Sequence, residues 1–171
     1  MTKKKKKAKG KLIIMVGAPG SGKSTFATKV AECENAIIIS RDEIRFSLLK
    51  ENENYFSKEK EVFNTYSSRI LWALNKGYNV VADATHLNRK ARLKLLRTIP
   101  SAAYIALEAI WLNTPLSECL LRNANRTGRA LVPEANLINM YKNIEPPSLS
   151  EGFDRIYIVQ PDAKIEIKEA Y

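Results

Sequence analysis

Eight residues set the terms for everything else in this chain. Positions 17–24 read Gly-Ala-Pro-Gly-Ser-Gly-Lys-Ser, a full match to GxxxxGK(S/T). The octet stands between an apolar run at 12–16 and a helical pattern that opens at Lys23. A strand that feeds a glycine-rich turn into a helix points backbone N–H groups at the positive end of the helix dipole, which is a ready-made cradle for phosphate. A fortuitous glycine-rich turn would lack those two flanks.

The rest of the chain repeats the same alternation. Apolar runs bounded by turn residues fall at 12–16, 36–39, 78–82, 105–112 and 156–159, giving five expected strands. Helical spacing occupies 23–32, 42–49, 58–76, 89–99, 115–125 and 133–144. Thr114 followed by Pro115 reads as an N-cap and first turn, and Gly77 stands where a helix should stop. Ile165 and Ile167 fit either a last edge strand or a frayed tail. Alternation of this kind predicts an α/β, three-layer fold with a mainly parallel five-stranded sheet, because parallel neighbours need a crossover and the crossover is normally a helix. Ligands in such folds bind beyond the carboxyl ends of the strands.

Within the octet each residue type has a chemical reason. Gly17, Ala18, Pro19, Gly20, Ser21, Gly22, Lys23, Ser24 and Thr25 form the expected ATP-binding loop. Lys23 brings a positive charge to the β and γ oxygens, and the Ser24 hydroxyl is a ligand for Mg²⁺. The expected cofactors are therefore ATP and Mg²⁺.

Other candidates cluster where strands end. Asp42, in Ser-Arg-Asp-Glu-Ile-Arg at 40–45, is a candidate general base for a hydroxyl acceptor. Arg45, three residues on, shares its helix face and is a candidate substrate clamp for an acceptor phosphate. The plain alternative is an acidic residue at a helix N-terminus among solvated arginines. Asp83 closes the run Tyr-Asn-Val-Val-Ala-Asp, delivering a carboxylate to Mg²⁺ or to the acceptor, or else capping the next helix. Arg122, Arg126 and Arg129 sit at and just past a helix end, where an arginine-bearing lid would reach the triphosphate. Arg126 joins Asp42 and Lys23 in the candidate catalytic set. Free arginines on a solvated helix end would look the same. His86, the only histidine, reads as a hydrogen-bonded structural residue beside a strand end. Tyr55 and Phe56 either stack on a base of the acceptor or anchor their loop.

Charge needs a correction before it is used. The formal net charge is +10, but Lys3 to Lys7, Lys9 and Lys11 supply seven of those charges, and ten less seven leaves +3. Residues 1–10 read as a solvated basic tail, with loose, salt-sensitive adhesion to RNA or DNA as the alternative, and 11–171 as a single domain. Cys33 and Cys119 form no CxxC pair and read as reduced residues of helix faces or core. The apolar run after the lysines is too short for a signal h-region or a membrane span, so the expectation is a cytoplasmic protein without a membrane partner.

Taken together, GAPGSGKSTF, SRDEIR, VVADATHLNRKAR, LLRNANR, VPEANLINMY and EPPSLSEGFDRIYIV resemble the kinase domain of polynucleotide 5′-hydroxyl kinases, from about residue 11 to residue 159. The resemblance implies that Asp42 is the general base, that Arg45 contacts the acceptor phosphate, and that Arg122 and Arg126 belong to the lid. It departs at Ser40, where phage-type enzymes have Asn, and at 83–86, where a DNTN-like sequence becomes Asp-Ala-Thr-His. These 171 residues contain no DxDxT motif of the phosphatase domain that often accompanies such kinases, and the expectation is that they supply only the kinase step. The expected activity is ATP-dependent transfer of the γ-phosphate to the 5′-hydroxyl of DNA or RNA. A nucleoside, sugar or antibiotic hydroxyl is the alternative acceptor, and a non-enzymatic ATP-dependent binding module is the third reading.

Overall fold

A computed structural model describes residues 9–170. The lysines at 3–7 lie outside the described residues. Strand β1 (Gly10–Val16) leads through the glycine-rich loop into α1 (Lys23–Glu34), followed by β2 (Ala36–Ser40), α2 (Arg41–Leu48), α3 (Glu59–Asn75) and β3 (Asn79–Asp83). Then come α4 (Arg89–Thr98), β4 (Tyr104–Leu112), α5 (Leu116–Ala124), α6 (Glu134–Lys142), β5 (Arg155–Val159) and β6 (Ile165–Glu169).

The strands form one six-stranded sheet in the order β2-β3-β1-β4-β5-β6. Every pairing is parallel except the last, in which β6 runs antiparallel to β5. The expectation of five strands is corrected here, since Ile165 and Ile167 belong to an edge strand. Both remain about half exposed. An edge strand covered on neither face lacks the continuous apolar run that marks buried parallel strands.

β1 shows how the sheet is held. Leu12, Ile14 and Val16 pack with Val62, Tyr66, Ile70 and Leu74 of α3 and Leu95 of α4 on one face. Ile13 and Met15 pack with Ala27 of α1, Val81 and Ile110 on the other. All five of these β1 side chains are buried, each contributing about 1.5–3 kcal/mol relative to exposure. The period-two alternation thus makes three layers, with α1 on one side of the sheet and α3 and α4 on the other. A smaller apolar cluster of Ala18, Cys119 and Leu137 fastens α5 and α6 to the glycine-rich loop.

Two helix C-terminal ends follow local chemistry, and one expected N-cap does not. α1 runs to Glu34, two residues beyond the expected end, and Asn35 caps it in the left-handed region at φ 47, returning its N–H to the Ala31 carbonyl. Gly77, at φ 88, follows α3 as expected. Thr114, however, is not the cap of α5. Pro115 takes that position without a side-chain bond, and the Thr114 hydroxyl donates to the Ser21 carbonyl at 3.0 Å.

Candidate active site

The strand order brings three loops to one edge of the sheet. β1 ends in the glycine-rich loop, β3 beside it ends at Asp83, and β2 beyond that ends at Ser40 in register with Asp83. Asp42 therefore stands two residues past a direct neighbour of Asp83, although 41 positions separate them in the chain.

Glycine is required in the loop for two different reasons. Gly20 lies at φ 80, and a Cβ there would come within 2.4 Å of the Cys119 carbonyl oxygen. Gly22, at φ 95, occupies the cap of α1 with no side-chain hydrogen bond. The first helical bond runs from Phe26 N–H to the Gly22 carbonyl, so the N–H groups of Lys23, Ser24 and Thr25 have no partner within the helix. An anion at this point meets free donors and the positive end of α1. The loop is tied down by Gly17 N–H on the Thr85 carbonyl at 3.1 Å and by Ser21 N–H on the Ala18 carbonyl at 3.2 Å. The Ser21 hydroxyl is buried without a hydrogen-bond partner.

Lys23 is buried, and its ammonium donates to the Ala18 carbonyl at 2.9 Å. Burial pulls its pKa down to about 8, with the Asp83 and Asp42 carboxylates acting the other way and Arg126 reinforcing the drop. The Ser24 hydroxyl donates to Asp83 at 2.9 Å. Burial raises the Asp83 pKa, opposed by the Lys23 charge and by that serine bond. A hydroxyl and a carboxylate side by side beneath a phosphate cradle suit Mg²⁺, which takes one or two protein oxygens together with substrate phosphates and water. Ser24 and Asp83 are the residues that would hold it.

The Asp42 side chain is 63% exposed and accepts two hydrogen bonds, from Arg45 Nη1 at 2.7 Å and from the Tyr55 hydroxyl at 2.9 Å. The three-residue spacing thus brings Asp42 and Arg45 into contact. Arg45 is itself buried, and its other nitrogen donates to Glu59 at 2.7 Å. The same Glu59 carboxylate also pairs with Arg41. A phosphate reaching Arg45 must displace one of these partners. Tyr55 lies under the Arg45 guanidinium at 4.3 Å from ring centre, and burial, with the adjoining Asp42 charge, pushes its phenol up to about 12.

The arginines after β4 divide between two places. Arg122 pairs with Glu118 at 2.7 Å and reaches the Ser21 carbonyl at 3.3 Å, so it lies against the phosphate loop. Arg126 donates to the Ala130 carbonyl at 3.4 Å, and its charge acts on Lys23. Arg129 stands over the Phe46 ring of α2, 6.0 Å from its centre. The segment after α5 thus spans from the phosphate loop to α2.

His86 is structural. Its Nδ1 lies 2.7 Å from the Met15 carbonyl, which can only accept, so Nδ1 carries the proton and Nε2 accepts from the Tyr66 hydroxyl at 3.3 Å. Burial lowers its pKa to about 4. The stretch at 145–151 has a structural task too. Arg92 is fully buried and donates to both carboxylate oxygens of Glu151, at 2.8 and 2.7 Å, and to the carbonyls of His86 and Glu145.

Sequence reasoning missed Glu59, the Tyr55 contact to Asp42 and the Arg92 pair. Glu59 looks like any acid in the first turn of a helix, and its two arginine partners lie 14 and 18 residues away. Both cysteines are unpaired, Cys33 exposed and Cys119 buried. Among the described residues, no helix is long and apolar enough to cross a membrane.

The sequence profile of the AAA domain matches residues 12–147. The chain is 28% identical over 170 residues to transcription factor bHLH140 of Arabidopsis thaliana, covering 94% of this chain and 17% of that one. It is 29% identical over 161 residues to a protein of Acanthamoeba polyphaga mimivirus provisionally named bifunctional polynucleotide phosphatase/kinase, covering 90% of this chain and 34% of the viral one. Among solved structures, a chain of the Pnkp1/Rnl/Hen1 RNA repair complex superposes with a TM-score of 0.68 at 24% identity, over 84% of this chain and 46% of that one. The chain therefore spans at most about a third of these two relatives and about half of the repair-complex chain. With the profile matched over most of its length and the phosphate cradle in place beneath it, the chain belongs to the AAA-domain family and has the P-loop kinase fold.

Proposed function

We propose that this chain transfers the γ-phosphoryl group of ATP to the 5′-hydroxyl end of a nucleic acid. The observation that carries the reading is the place of Asp42. Its exposed carboxylate is steered by Arg45 and Tyr55 on the sheet edge that also holds Lys23, Ser24 and Asp83.

In this reading the acceptor hydroxyl binds with its O–H donating a hydrogen bond to the Asp42 carboxylate. As that proton is taken, the oxygen forms its bond to the γ-phosphorus, the bond from phosphorus to the β,γ-bridging oxygen breaks, and ADP leaves. Lys23 leaves the Ala18 carbonyl for the β and γ oxygens, and Arg126, with Arg122, spreads over the charge that develops there. Ser24 and Asp83 would hold Mg²⁺, which would supply charge neutralisation at the triphosphate. Arg45 orients Asp42 and offers the acceptor phosphate a buried cation. The named activity of the viral relative favours a polynucleotide acceptor.

A second reading, a small hydroxyl compound as acceptor, draws support from charge. Beyond the first eleven residues the chain carries only +3, little for tracking a phosphate backbone.

Labelled γ-phosphate transfer from ATP to a 5′-hydroxyl oligonucleotide, run beside a panel of nucleosides and sugars, separates the two. Transfer to the oligonucleotide that falls by about 10²–10⁴ in Asp42→Asn is the expected result. Transfer to a sugar or nucleoside alone would replace the first reading with the second.

A further inference from the structure

Phe56 is the most exposed aromatic ring near the candidate base, at 65%, and the mechanism above does not use it. It follows Tyr55, whose hydroxyl bonds Asp42, and their rings meet edge to face with centres 4.9 Å apart. Phe46 of α2 also meets Tyr55 edge to face, with ring centres 6.3 Å apart. Arg129, from the segment that follows α5, adds a cation above Phe46.

The ring is held out by its backbone. Phe56 N–H donates to the Asn54 side chain at 2.9 Å, Ser57 N–H to the Asn54 carbonyl at 3.0 Å, and Glu59 N–H to the Phe56 carbonyl at 3.2 Å. Tyr55 accounts for the anchoring of this loop, since its phenol is fixed by both Asp42 and Arg45. The Phe56 ring packs edge to face on Tyr55 and still leaves an apolar face open to water.

Resting on the polynucleotide reading, we propose that Phe56, backed by Tyr55 and Phe46, is the stacking platform for the nucleobase of the 5′-terminal acceptor nucleotide. Every base has a π-face, so such a platform is tolerant of sequence and blind to sugars that carry no base. The order of groups matches a nucleotide: the 5′ oxygen meets Asp42, the ribose spans Tyr55, and the base lies on Phe56. Arg129 lies over Phe46, at the α2 end of this aromatic cluster.

The test compares three acceptors with wild type, Phe56→Ala and Phe56→Trp: a 5′-hydroxyl oligonucleotide, the same oligonucleotide with an abasic 5′-terminal residue, and a free nucleoside. Phe56→Ala is expected to raise KM for the base-bearing oligonucleotide about 5- to 100-fold. It should leave kcat, the KM for ATP and the KM for the abasic acceptor unchanged, and Phe56→Trp should restore wild-type KM. An equal loss on base-bearing and abasic oligonucleotides, or no loss on either, overturns the platform and leaves the polynucleotide reading standing. An effect confined to the free nucleoside assigns the base to a monomer and overturns the polynucleotide source. If wild type phosphorylates neither oligonucleotide, both proposals fall together.

Discussion

The Ser24 hydroxyl donates to Asp83 at 2.9 Å, joining the first turn of α1 to the end of β3 across 59 residues of chain. This bond orients the two oxygens expected to meet Mg²⁺. Asp83→Asn keeps the shape and a hydrogen bond but removes the negative charge. The Mg²⁺ concentration giving half-maximal phosphoryl transfer should rise about 10- to 100-fold, read from initial rates against Mg²⁺ at saturating ATP. An unchanged Mg²⁺ requirement would remove Asp83 from the metal site.

Lys23 in the free protein has a pKa near 8 because it is buried. A bound triphosphate favours the charged ammonium. Below pH 8 the free protein already holds that proton, and above it the proton must be taken up on binding. ATP affinity should therefore be constant below pH 8 and fall as pH rises through it, approaching about tenfold per pH unit. Calorimetric titration between pH 7 and 9.5 measures this. Lys23→Met should bind weakly with no such slope.

His86 is neutral in the fold, with its pKa lowered from 6.5 to about 4. The unfolded chain binds a proton between those values that the folded chain refuses. Its contribution to stability is thus whole above pH 6.5 and is lost as pH falls toward 4, about 3 kcal/mol in total at about 1.4 kcal/mol per unit. By pH 5 roughly 2 kcal/mol of this should be gone. His86→Asn, whose side chain tolerates φ 42, should be less stable at pH 7 and lose less between pH 7 and 5, as measured by urea unfolding.

The Arg92–Glu151 pair is buried on both sides. Removing one partner strands the other's charge, so Arg92→Met should cost about 3–5 kcal/mol. The double variant Arg92→Met/Glu151→Leu should recover part of that loss, because the stranded carboxylate is gone. Guanidinium unfolding of the four proteins in the cycle gives the coupling. Additive losses would show that the pair does not hold the 145–151 stretch to α4.

Local sequence accounts for the phosphate loop almost completely. Gly20 and Gly22 take their positive φ values, Lys23 and Ser24 open α1, and the apolar run before them forms β1, because these features depend on neighbours a few residues away. The first five strands are legible for the same reason, whereas β6 carries too little apolar surface to separate an edge strand from a tail. Asp42 and Asp83 were each visible as a carboxylate at a strand end. Only the order β2-β3-β1 sets them side by side. Thr114 has the composition of a cap, and it became a support for the phosphate loop because α5 packs against Gly20. Glu59 and Arg92 had no local signature at all. A buried guanidinium such as that of Arg92 is tolerated only where distant partners satisfy it, and the partners of both residues were assembled by the tertiary structure.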